Sequence, residues 1–470
     1  GSQGMSSPHQ LALRCILPGF AGTSMPEWVR RRVDEGLGGV VLFGRNIEHR
    51  DQVRALVASL HAERAGLLVA IDEEGGDVTR LEARTGSSYP GNLALGAADD
   101  PTLTAEVARA MGAELADIGI DLDLAPVADV NSNPLNPVVG VRSFGANPEL
   151  VARHTAAWVD GLQGTGVAAC AKHFPGHGDT EADSHVELPF AAADPRRGAL
   201  QPFEAAIEAG VRAVMSAHIV VPALDTAPAT ISPRVMTGLL RDELGFDGLA
   251  VSDGLDMRAL SGERGIAEAA VLALIAGCDA LCVGGGPSGQ EVVDEIAAAL
   301  IEAVRRGRLS EARLEQAAGR VDALASWRAA QPRGAVEAEG VGLRAARRAI
   351  TRQGSVRVSD HAVVMRLGSL PSIAAGDVPW GVAEALAARG VDVVESEADR
   401  KDHSLVVVVR DLHRLPAQRE AVEEILARRP DAVVVDMGVP VCKPRGAAGY
   451  IATHGSARVC GQAAAELMRG

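Results

Sequence analysis

The segment Lys172-His173-Phe174-Pro175-Gly176-His177-Gly178, with its sequel Asp183-Ser184-His185, concentrates groups able to bind ligands and move protons. Lys172 and His173 close the apolar run Val167–Ala171, where a charged side chain is costly unless partnered or functional. A satisfied core histidine is the other reading of His173. In the loop 178–187, Asp183 and His185 stand two residues apart. If the loop turns back on itself, Asp183 holds the tautomer of the imidazole and raises its proton affinity. His185 then suits proton donation and acceptance near neutral pH. A D-x-H pair standing alone is more often a solvated turn, and it gains weight only from the segment before it. The third element is Leu249–Met257, in which Asp253 ends an apolar run and precedes Gly254. A carboxylate so placed can attack an anomeric carbon and form a covalent glycosyl intermediate. The alternative for Asp253 is a helix N-cap. Asp256 reads as a cap or surface residue.

These groups need elements that bring strand ends together. Eight short apolar runs are expected as strands: Leu13–Leu17, Gly39–Phe43, Leu67–Ile71, Asp121–Ala125, Val167–Lys172, Ala213–Ala217, Leu249–Ser252 and Ala280–Val283. Helix-length stretches such as Asp51–Ala65, Pro101–Ile118, Pro148–Thr165 and Glu263–Ala276 separate them. Continuous apolar strands alternating with helices predict a parallel sheet buried on both faces. The local pattern fits an open doubly wound sheet as well as a (β/α)8 barrel. Asp72, Asp129, Lys172, His173, His218, Asp253 and Gly284 all fall at or just past the C-terminal ends of these runs, which favours the barrel. The reading is an α/β chain: a barrel over 5–330, a linker and connecting helix over 331–352, and a smaller α/β sandwich of about five strands over 353–470. The second domain lacks G-x-G-x-x-G, so nucleotide binding there is unsupported.

The motifs K-H-F-P-G-H-G, D-S-H and S-D-G-L-x-M, in that order, resemble glycoside hydrolase family three and its β-N-acetylglucosaminidase branch. The likeness also takes in Ile71-Asp72-Glu73-Glu74-Gly75-Gly76 with Arg80, Arg142-Ser143-Phe144-Gly145 and Ser216-Ala217-His218. It implies Asp253 as nucleophile and an Asp183–His185 dyad, with His185 as general acid and then base. It also implies a sugar pocket lined by Asp72, Arg80, Arg142, Lys172 and His173. In that pocket Asp72 accepts from sugar hydroxyls, while Lys172 and His173 donate to them. For Arg80 an ion pair with Glu74 or Glu82 is the competing reading. Two positions depart from the pattern: Asp77 follows the two glycines where many relatives carry a polar or basic residue, and Gly254 stands where a second Asp is frequent.

The resemblance implies cleavage of terminal β-linked N-acetylglucosamine from a small glycoside by double displacement. Phosphorolysis is the alternative, with inorganic phosphate as co-substrate. A carboxylate base repels phosphate, whereas imidazole carries no negative charge in either protonation state, so the dyad suits both acceptors. Substrate-assisted attack by the acetamido oxygen is a further rival, but Glu73 and Glu74 fit a binding loop better than an acetamide-orienting pair. A sugar-binding barrel without catalysis predicts loss of a reacting group, and Asp253, Asp183 and His185 are all present.

The net charge of −15 argues against nucleic acid or an anionic membrane as partner. No run of apolar residues is long enough to span a bilayer, and with no leader-like segment the chain reads as cytoplasmic. The six cysteines include a C-x3-C at Cys278 and Cys282 but no zinc set, and they read as buried free thiols. Neither a metal nor an organic cofactor is implied.

Overall fold

The computed structural model describes residues 6–180, 188–262, 264–284, 289–332, 339–368 and 374–470. Eight parallel strands lie in chain order: β1 (Ile16–Pro18), β2 (Gly39–Leu42), β3 (Leu68–Ile71), β4 (Leu122–Asp123), β5 (Cys170–Phe174), β6 (Ala213–Ser216), β7 (Leu249–Ser252) and β8 (Ala280–Val283). They form two arcs, β2-β3-β4 and β5-β6-β7-β8-β1. Parallel bridges Leu122↔Ala168 and Val127↔Lys172 join the arcs on one side. On the other, the Gly38 amide donates to the Leu13 carbonyl at 3.0 Å. The sheet therefore closes on itself, as a (β/α)8 barrel.

The interior is a packed layer, with no pore. Leu17, Val41, Ala70, Leu124, Cys170, Met215, Val251 and Cys282, one residue from each strand or its immediate end, meet in a single cluster. The helix Glu311–Ala330 closes the barrel floor with Val321 and Leu324. Alternate strand residues face outward into the larger core under the helices. Side chains cap several of these helices. Asp100 accepts from the Leu103 amide ahead of Pro101–Ile118, and Asn147 accepts from Glu149 and Leu150 ahead of Pro148–Gln163.

The first strand starts later than expected. Ser7 Oγ accepts from the Gln10 amide at 3.2 Å, Gln10 Oε1 accepts from the Ser7 amide at 3.0 Å, and Pro8 opens the first turn. This reciprocal cap makes Pro8–Arg14 a helix, so Leu13 is helical and the strand begins at Ile16. The fifth strand runs on to Phe174. The helix expected over Glu263–Ala276 is described from Ile266, and Glu263 lies outside the described residues.

The second domain is a sheet ordered β11-β10-β12-β13-β14-β9. Its strands are β9 (Thr351–Gln353), β10 (His361–Arg366), β11 (Asp392–Glu395), β12 (Ser404–Val409), β13 (Val433–Asp436) and β14 (Gly449–Ala452). Thr351–Gln353, of which Thr351 and Arg352 were assigned from sequence to the connection, adds a sixth strand antiparallel to β14. All three of its residues are exposed, so no apolar pattern marks it. The helix Val341–Ala349 ties the domains together: Val341 and Ala345 enter the barrel core and Ala346 the core of the second domain. Gly342 permits the approach, because a Cβ there would lie 1.7 Å from the Ser88 carbonyl oxygen. Residues 333–338 of the expected linker lie outside the described residues.

No helix among the described residues is long and apolar enough to cross a membrane. All six cysteines are free; five are buried, and Cys442, expected buried, is half-buried.

Candidate active site

The C-terminal ends of β3, β5 and β7 carry the polar side chains that the apolar strands themselves cannot hold. After β3 come Asp72, Glu73 and Glu74. Lys172, on β5, is only 2% exposed, and its Nζ lies 3.0 Å from Asp72 Oδ1 and 2.8 Å from Glu74 Oε2. Arg142 grips the same Glu74 with two parallel bonds, Nε to Oε1 and Nη2 to Oε2, each 2.9 Å. Burial alone would raise the Glu74 carboxyl. Arg142 and Lys172 overturn that and hold it well below the usual carboxylate range. Burial likewise works against the Lys172 ammonium, but Glu74 and Asp72 raise its proton affinity above the ordinary lysine value.

Arg80 approaches Asp72 Oδ2 at 3.9 Å and donates to the Ala374 carbonyl at 2.9 Å, so it links the pocket to the second domain. Of its expected competitors, Glu74 is held by Arg142 and Lys172, and Glu82 pairs with Arg458 at 3.0 Å. Glu73 turns away from the pocket, where its Oε2 accepts from the Arg80 and Leu81 amides at 2.9 and 3.0 Å. Burial pushes the Glu73 carboxyl up to about 7.

His173 is anchored by Asp129, with Nδ1 2.8 Å from Asp129 Oδ2. Asp129 Oδ1 accepts from the His173 and His177 amides at 3.1 and 2.8 Å. Burial would raise the Asp129 carboxyl, but His173 outweighs it and the net shift is downward. An ionised Asp129 can only accept, so the Nδ1 proton is committed to it and Nε2 is left for a ligand. The ring then donates to a sugar hydroxyl only as imidazolium. Ser143, from the Arg142-Ser143-Phe144-Gly145 motif, donates to the Asp129 carbonyl at 2.6 Å. His177 Nδ1 lies 2.7 Å from Thr180 Oγ1, and burial lowers this imidazole to about 4. Gly178 is required for a close approach, since a Cβ there would sit 1.6 Å from the Val130 carbonyl oxygen.

Asp253 follows β7 and caps no helix. The next helix, Arg258–Ser261, starts after Met257 with no side-chain cap. Asp253 Oδ1 accepts from the Gly254 amide at 2.8 Å. Buried His218 donates from Nε2 to the Gly254 carbonyl at 2.8 Å and so fixes the turn that carries Asp253. Asp256 caps no helix; it is half-buried beside the cavity, and its Oδ1 accepts from the Gly284 amide at 3.2 Å beyond β8.

Asp72, Arg80, Arg142, Lys172, His173 and Asp253 line one cavity of about 430 Å³ at the barrel mouth, within the size range of small-molecule sites. Asp183, Ser184 and His185 lie outside the described residues. Asp129 and His218 had no assigned role in the sequence reading, and Glu74 entered it only as a binding-loop residue and a rival partner for Arg80. A strand period of two puts Asp72 and Glu74 on one side and Glu73 on the other, which was the available signal for Glu74. Asp77 faces the second domain: its Oδ1 accepts from the Ser456 amide at 2.9 Å, and its Oδ2 lies 3.6 Å from Arg410.

Residues 23–324 match the glycosyl hydrolase family 3 N-terminal domain. A β-hexosaminidase of Thiobacillus denitrificans is 40% identical over 302 residues, covering 62% of this chain and 82% of that protein. β-Hexosaminidase A of Pseudoalteromonas piscicida is 38% identical over 268 residues; the match takes in 52% of this chain but only 45% of that longer protein. The solved structure of a family 3 β-N-acetylglucosaminidase from Paenibacillus sp. superposes with a TM-score of 0.89 at 34% identity, covering 99% of this chain and 97% of that one. The barrel, the strand-end cluster and a counterpart shared along nearly the whole length lead to one conclusion: the chain belongs to glycosyl hydrolase family 3.

Proposed function

We propose that this protein is a retaining β-N-acetylglucosaminidase that removes terminal β-linked N-acetylglucosamine from small glycosides. The observation that carries the reading is the sharing of one cavity by Asp253 and the Asp72–Lys172–Glu74–Arg142 network. Relatives named β-hexosaminidase and β-N-acetylglucosaminidase support the substrate class. In the first half-reaction an Asp253 oxygen bonds to the anomeric carbon as the bond to the aglycone oxygen breaks, and His185, oriented by Asp183, gives that oxygen its proton. In the second, neutral His185 takes a proton from water, the water oxygen bonds to the anomeric carbon and the Asp253 carboxylate leaves. Two displacements restore the β configuration, and every atom and charge balances with side chains and water alone. Asp72, Arg80, Lys172 and His173 bind the sugar, with Arg142 acting through Glu74. The locked states of Glu73 and Glu74 leave neither free to orient an acetamide, which favours the covalent route over substrate assistance.

An aryl β-N-acetylglucosaminide tests the assignment. Turnover by the wild type that is abolished in Asp253→Ala, with mass-spectrometric labelling of Asp253 by a 2-fluoro sugar, is the expected result. Equal, negligible rates in both proteins would sink the enzymatic reading. Product analysis with and without phosphate decides the acceptor: free sugar alone means water, and a sugar 1-phosphate means phosphorolysis.

A further inference from the structure

Past a rim formed by Val78, Val138 and Arg142, the sugar-sized cavity opens into a second, of about 480 Å³, between the two domains. Its far wall belongs to the second domain and includes Arg366, Trp380, Arg410 and Arg414. The Arg410 guanidinium lies 4.0 Å from the Trp380 ring centroid and that of Arg366 lies 4.9 Å from it. Arg366 also donates to the Trp380 carbonyl at 2.7 Å, a neutral partner that leaves its charge unbalanced. His413 Nε2 donates to the Pro134 carbonyl at 2.6 Å, tying this wall to the barrel loop opposite.

The charges of the cleft divide into those already committed and those that are not. Arg142 is neutralised by Glu74, and Arg410 faces Asp77 at 3.6 Å. Asp411 Oδ1 accepts from the Val439 amide at 3.0 Å, and Asp377 is exposed at the lip. Arg366 and Arg414 line the cleft without a carboxylate in ion-pair contact among the described residues. Guanidinium groups lining a cleft suit an aglycone that carries a carboxylate or phosphate, because the planar fork binds two oxygens.

We propose that this cleft is an aglycone subsite that selects leaving groups bearing an anionic substituent, with Arg366 and Arg414 as charge partners and Trp380 positioning Arg366 through its ring and its carbonyl. It rests on the glycosidase reading only in that the cleft adjoins the cavity assigned to the sugar.

Calorimetric binding of non-hydrolysable aryl β-N-acetylglucosaminide thioglycosides to the full-length protein tests the subsite without turnover. Three aglycones are compared: neutral, carboxylated and phosphorylated. The wild type is expected to bind at least one anionic thioglycoside about tenfold more tightly than the neutral one, a preference that weakens with added salt. Arg414→Ala and Arg366→Ala each reduce the preference, Arg414→Glu reverses it, and Arg414→Lys keeps most of it. A preference confined to one anion identifies the substituent class. Equal affinity for all three aglycones, or a preference that survives both alanine variants, would overturn the proposal. An anionic preference without turnover of the matching O-glycosides leaves the subsite standing and removes the hydrolase reading.

Discussion

Glu74 Oε2 lies 2.8 Å from Lys172 Nζ, so one buried ion pair joins the ends of β3 and β5 at the barrel mouth. Arg142 completes the set from a loop between β4 and β5, and Asp72 is held on the other side of the same ammonium. Glu74 is thereby the shared anchor of two cations that the sugar pocket needs in fixed positions.

Glu74→Gln keeps the shape but removes the charge that Arg142 and Lys172 share. Breaking such a buried pair leaves uncompensated charge, and a loss of about 3 kcal/mol in urea unfolding is expected. Hydrolysis of an aryl glycoside should fall at least tenfold in kcat/KM, with KM carrying much of the change. Stability and kinetics both close to wild type would show that Glu74 anchors neither cation.

Asp129→Asn tests the anchoring of His173. The amide can still accept from the two backbone N–H groups, but its NH2 faces Nδ1 and forces the ring proton to Nε2. A fall of about 10- to 100-fold in kcat/KM is expected. NMR shifts of the imidazole nitrogens should report the exchanged tautomer. An unchanged tautomer would show that Asp129 does not set it.

Asp436 predicts a pH effect in the second domain. Its carboxyl is buried, accepts from Tyr450 Oη at 2.8 Å and from the Gly438 amide at 3.1 Å, and is pushed up by burial to about 7. A raised carboxyl binds its proton more tightly folded than unfolded. Stability therefore declines as pH rises from the ordinary aspartate value toward about 7 and is level above it. Asp436→Asn should flatten that slope, measured as urea midpoints between about pH 5 and pH 8. Glu73, also raised, adds a slope of the same sign that remains in the variant. Glu74 and Asp129 act oppositely: both are lowered, and the stability they contribute is lost only as pH falls below the ordinary carboxylate range.

Gly178→Ala would drive a methyl group into the Val130 carbonyl, and backbone cannot swing aside as a side chain can. The adjoining His177 amide bond to Asp129 should loosen with it. We expect about 3 kcal/mol of destabilisation, seen as a lower melting temperature, together with reduced activity. A wild-type melting temperature would mean that the loop accommodates the methyl group.

Strand ends and their polar residues were legible because a buried parallel strand is an unbroken apolar run, and a Lys, His or Asp that ends it stands out. That is how Lys172, His173, Asp253 and Asp72 could be located one by one. Two local readings failed for local reasons: Leu13 because the Ser7 cap extends a helix over an apolar stretch, and Thr351–Gln353 because an exposed edge strand needs no apolar pattern.

The sequence by itself determined the alternation of elements and the chemical types available at the barrel mouth, since both follow from residue order and burial preference. Only the tertiary structure decided which charges meet. Glu74 lies 98 positions from Lys172 and 68 from Arg142, and Asp129 lies 44 from His173, so closure of the barrel creates pairings that no local spacing encodes. The same holds for Arg80 reaching Ala374, 294 positions away, and for the arginines that the second domain brings to the rim of the cavity. Ion pairs and cavities depend on distance in space, whereas periodicity and capping depend on distance along the chain.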